Sequence, residues 1–130
     1  MAGMTAFEKA EAERVRQALV ERRARAVAVA SELRGRHQLV TSRVWDDMGG
    51  LAFGFNVSYA RGDVAPADVV FLRSDSEGTV AFRWGWEVKH AAAETDDPVE
   101  VAAAIAATLG KTRPARDARN AEHLAAYANL

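Results

Sequence analysis

The chain contains no cysteine, only three prolines, and three lysines against 14 arginines. Without cysteine there is no disulfide framework, no thiolate nucleophile and no cysteine-bound zinc, so burial alone must hold the fold, as suits a reducing compartment. Long apolar runs are missing too. The longest, Val101 to Ala107, is far too short to cross a bilayer, and the first residues read as a charged helix with no apolar signal core. A cytoplasmic protein without membrane contact is the expectation. No nucleophile elbow, phosphate loop or glycine-rich dinucleotide fingerprint occurs, because Gly49-Gly50 and Gly54 do not lead into a helix whose N-terminus could cradle an anion. No cofactor is therefore expected, and there is no internal repeat or low-complexity linker.

What is present suffices for one folding unit. A chain of 130 residues with 49% hydrophobic content buries roughly two-thirds of its unfolded surface. We read residues 1–110 as a single α+β domain and residues 111–130 as a basic helical or frayed tail. The net charge of -1 hides an asymmetry: residues 1–43 carry nine basic side chains against five acidic ones, residues 44–110 four against eleven, and the last twenty residues four against two. Ends and centre thus attract each other, and arginine is spread along the first segment with glutamates between. Arg14, Arg16, Arg23 and Arg25 form no ridge of the kind a groove-reading helix needs, so nucleic acid is not the expected partner.

The first element is predicted as a helix over residues 6–34, with Thr5 and Glu8 as a capping box and Gly35 as its stop. Ala12, Val15, Leu19, Ala26, Val29, Ala30 and Leu33 fall within an arc of about 100°. Arg22 lies inside that arc and must either reach solvent or meet a carboxylate. Four strands follow. His37 to Trp45 is β-branched; Leu51 to Ala60 alternates Leu51, Phe53, Phe55, Val57 and Tyr59 with the small face Ala52, Gly54, Asn56, Ser58 and Ala60; Asp68 to Arg73 is short and apolar. The fourth, residues 79–89, sets Val80, Phe82, Trp84, Trp86 and Val88 at every second position, the pattern of a strand with one buried face. Short turns between these strands favour an antiparallel meander. A second helix starts at Asp97-Pro98-Val99-Glu100 and is expected to stop at Gly110; its alanines could pack closely against the small face of the second strand. Beyond Pro114 a weak third helix is possible.

The predicted architecture is therefore α-β-β-β-β-α, a four-stranded antiparallel meander with a long N-terminal and a C-terminal helix and an optional last helix. Such flanked meanders resemble small chaperones for secreted proteins, immunity proteins and adaptors. The expected function is a non-enzymatic protein-binding module, acting on another protein or on a second copy of itself, through a surface that includes Trp45, Tyr59, Arg83, Trp84, Trp86 and Glu87. Its motivation is the number of large aromatics in so short a sheet, more than one helix would cover.

One constellation points elsewhere. Pro66-Ala67-Asp68 followed by Glu87-Val88-Lys89 is similar to the metal site of the PD-(D/E)xK nucleases. The resemblance implies that Asp68 and Glu87 would hold Mg²⁺ while Lys89 orients the attacking water. His37, His90 and His123 are too far apart for a helical metal-ligand pair, Asp46-Asp47-Met48-Gly49-Gly50 has the composition of a turn, and Arg61-Gly62-Asp63 reads as a loop. No resident metal is expected in the binding-module reading.

Overall fold

A 30-residue helix, α1 (Ala6–Gly35), opens the chain. Its cap is the predicted one: the Thr5 hydroxyl accepts from the Glu8 amide at 3.1 Å. The computed structural model describes residues 3–47, 52–60, 66–72, 78–84, 87–94 and 96–128, with the side chains at 47 and 87 left aside. Within these residues follow β1 (Val40–Thr41), β2 (Trp45–Asp47), β3 (Ala52–Ser58), β4 (Ala67–Leu72), β5 (Thr79–Trp84), β6 (Glu87–Ala93) and α2 (Pro98–Ala128). Every pairing is antiparallel, in the order β1-β3-β4-β5-β6, with β2 joining β3 on the same side as β1. The class is α+β, as the alternation predicted, but with six strand segments instead of four.

Two of the predicted strands are divided. The first, residues 37–45, becomes β1 and β2 because residues 42–44 leave the ladder; Ser42 still exchanges bonds with Asn56, its amide donating to the Asn56 carbonyl at 3.0 Å and its hydroxyl accepting from the Asn56 amide at 2.8 Å. The fourth, residues 79–89, becomes a hairpin in which Trp84 pairs with Glu87 across residues 85 and 86. The fold places Val88 opposite Arg83, on the other face from Val80 and Phe82, and leaves it 64% exposed. β6 then continues through Ala91, Ala92 and Ala93. Alanine has little strand preference of its own, so pairing with β5 and contact with α2 decide the conformation here.

Both helices lie on one face of the sheet. Phe53, Phe55 and Val57 of β3, Val69 and Phe71 of β4, and Val80 and Phe82 of β5 are buried against Ala26, Val29, Ala30 and Leu33 of α1 and Val101, Ala102, Ile105 and Leu109 of α2. The alanine-rich helix thus lies on the helix side of the sheet, in contact with α1, β5 and β6, and not on the small face of β3, a correction with a volumetric reason: large side chains below suit small ones above at constant packing density. Of the aromatics that seemed too many for one helix, Phe53, Phe55, Phe71 and Phe82 are buried beneath two.

Arg22 finds its carboxylate. Its Nε donates to Glu94 Oε1 at 2.6 Å, one Nη2 bond reaches the Phe71 carbonyl at 3.3 Å, and the guanidinium sits 5.2 Å from the Phe53 ring. Both partners are buried, with 6% and 3% of their side chains exposed. Gly78, at φ 73°, leaves the room that Glu94 occupies; any Cβ there would strike Glu94 Oε2. This pair ties the middle of α1 to the turn ahead of α2, while Leu33 and Leu39 place the end of α1 beside Ser58 through the β1–β3 pairing. Arg113 and Arg116 of α2 lie over Tyr59, so both helices run the same way across the sheet. The stop predicted at Gly110 and the separate third helix are replaced by one continuous α2 that passes through Pro114. Proline removes one amide donor and crowds the preceding turn. Opposing this, Arg116 is buried 5.9 Å from both the Tyr59 and the Trp84 rings, and Arg119 lies 5.1 Å from Trp84.

Candidate functional site

The face of the sheet turned away from the helices is the candidate site. Its construction begins with the small residues of β3, because Ala52, Gly54 and Asn56 are the positions that alternate with the buried aromatics. Register carries this face across the sheet: Gly54 pairs with Val70 and Val70 with Ala81, Ala52 pairs with Leu72, and Asn56 pairs with Asp68, which in turn pairs with Arg83.

Trp45 pairs with Gly54. Its indole lies across the glycine, so that a Cβ on residue 54 would come within 2.5 Å of the ring and 2.7 Å of the Val69 carbonyl. Glycine is thus required by close approach, not by backbone conformation. Beside the indole, Ala52, Val70, Leu72 and Ala81 form the floor of a cleft of about 300 Å³, and Val88 and Arg83 its far wall. A polar ladder borders the floor: Asn56 Nδ2 donates to Asp68 Oδ1 at 2.7 Å, and Arg83 Nη2 and Nε donate to Asp68 Oδ2 at 2.7 and 3.1 Å. The cleft thus has an apolar centre with a hydrogen-bonded polar border.

The residues predicted for a binding surface divide between the two faces. Trp45 and Arg83 lie on the open one. Trp84 packs against the core on the helix side, Tyr59 sits at the end of β3 beneath Arg113 and Arg116, and Trp86 falls outside the described residues. Glu87 is placed by its backbone pairing with Trp84. The cleft floor of Ala52, Val70, Leu72 and Ala81 was not singled out in the sequence. Its signal is faint: inside Val69-Val70-Phe71-Leu72, four apolar residues in a row blur which two face outward.

The nuclease-like residues are not gathered. Asp68 is on the open face and is already held by Asn56 and Arg83, whereas Lys89 pairs with Phe82, a register position of the helix side. Glu87, two residues from Lys89 in β6, takes the matching position opposite Trp84. Among the described residues no three His, Asp or Glu side chains lie together as a metal would require. Asp46 pairs with Phe53 in the β2–β3 ladder, while Met48, Gly49, Gly50 and Arg61-Gly62-Asp63 lie outside the described residues. No helix of the described residues is long and apolar enough to cross a membrane.

Comparison with protein-family models, with curated proteins and with solved structures finds no match to this chain. The functional reading therefore rests on the geometry of the site.

Proposed function

We propose that the protein is a non-enzymatic binding module that holds a segment of a partner protein against the open face of its sheet. The observation that carries this reading is the placement of both helices on one face, which leaves the Trp45 cleft uncovered across β3, β4 and β5. About 300 Å³ is at the small end of ligand pockets, the size for one or two apolar side chains of a docked segment. The ladder of Asn56, Asp68 and Arg83 would fix the direction from which that segment enters, its hydrogen bonds already made before binding.

The test is a pull-down from the native host with two baits, the wild-type chain and a Leu72→Glu/Val88→Glu variant that charges the cleft at two positions with exposure to solvent. The expected result is one near-stoichiometric partner retained by the wild type and lost by the variant, with both baits equally folded by circular dichroism. Light scattering at micromolar concentration tells whether that partner is a second copy, as the aromatic content of the sequence suggested. A partner held equally by both baits would move the interaction off this face.

A further inference from the structure

We propose that the cleft between α1 and the broken edge strand is a binding site for an oligophosphate, either free or esterified. The cleft measures about 670 Å³, and Arg23 and Arg34 of α1 face Thr41, Ser42 and Arg43 across it. Three arginines and two hydroxyl-bearing residues line one volume, and among the described residues no carboxylate does. Arg14 and Arg16 of α1 are matched locally by Glu11 and Glu13, Arg22 by Glu94, and Arg36 just past the helix by Glu32. Arg23 and Arg43 have no such acidic partner among the described residues.

The arrangement follows from the sequence in a way the reading of α1 alone did not reach. Arg23 and Arg34 are eleven residues apart, three turns of helix, so they point the same way with about 16 Å of axis between them. Val27 and Ala30 fill the turns between with short side chains. Arg43 comes from the opposite wall, at the three residues where the edge strand leaves the ladder, and completes a row that no single element contains. Arg34 is also positioned in advance, its Nη1 donating to Thr41 Oγ1 at 2.6 Å.

This geometry selects the ligand class. Guanidinium forks match phosphate oxygens two at a time, and a row of three asks for several phosphates in line, not one. A long nucleic-acid backbone fits less well, because the row continues toward the N-terminus of α1 only at Arg16, which Glu13 neutralises, and the chain as a whole is slightly acidic. The site is on a different face from the Trp45 cleft and does not depend on it.

The experiment is calorimetric titration of the full chain with tripolyphosphate, a nucleoside triphosphate and a short DNA duplex at 150 mM salt. Saturable binding of tripolyphosphate is expected, weakened at least about tenfold in Arg23→Glu/Arg43→Glu, with Arg25→Glu, on another side of the helix, close to wild type. Tighter binding of the nucleoside triphosphate assigns the esterified source, and equal binding assigns the phosphate chain alone. In parallel, amide shifts of the wild type on adding tripolyphosphate should centre on residues 41–44, a readout that needs no variant to fold. No saturable binding up to millimolar concentration, an equal loss in Arg25→Glu, or a duplex bound more tightly than tripolyphosphate would overturn the proposal.

Discussion

The two faces of the sheet are made by the same strands and yet divide the work of the molecule. On the helix side Phe55, Val57, Val69, Phe71 and Val80 are fully buried, and a buried ion pair, Arg22 with Glu94, is enclosed by their neighbours. On the open side the Trp45 ring lies across a glycine and leaves a cleft beside itself. The difference teaches where each kind of energy is kept: stability in the covered face, and surface available for association in the other.

The comparison breaks most sharply at Arg22. Arg22→Ala strands the Glu94 carboxylate inside the fold, and a loss of about 3–5 kcal/mol in urea melts is expected. Replacing both partners with apolar residues, Arg22→Met with Glu94→Leu, should return most of it; no recovery would mean that the pair is needed for more than mutual neutralisation. A similar loss, about 3–5 kcal/mol, is expected for Phe55→Ala on the covered face, against a change within about 0.5 kcal/mol for Val88→Ala on the open one. Equal effects would erase the distinction between the faces. A loss smaller than that at Phe55 sharpens it. Gly54→Ala should cost about 1–3 kcal/mol by forcing the Trp45 ring off the strand, and less in a Trp45→Ala background, because the two changes act through one contact.

The covered face was largely legible in the sequence. Phe53, Phe55 and Val57, and Val80 and Phe82, alternate at period two, and Ala26, Val29, Ala30 and Leu33 recur at helical spacing, so periodicity alone finds them. Arg22 within that helical arc had to reach solvent or meet a carboxylate, and the distance of 72 residues to Glu94 hid which. Less legible were features that depend on competition between neighbours. The fourth predicted strand divides into β5 and β6 with Trp84 paired to Glu87, and α2 continues through Pro114 with Arg113, Arg116 and Arg119 held on the Tyr59 and Trp84 rings. The site was hardest to read. Its floor consists of small and ordinary residues from three strands, and its lid, Trp45, comes from a fourth; nothing but register brings them together.

The most direct test of the division between the faces is site-specific photo-crosslinking in the native host, with the photoreactive side chain placed at Val88 on the open face or at Val99, exposed at the start of α2. The account expects adducts to another chain from position 88 and few or none from position 99. Adducts confined to position 99, or equal at both, would contradict it.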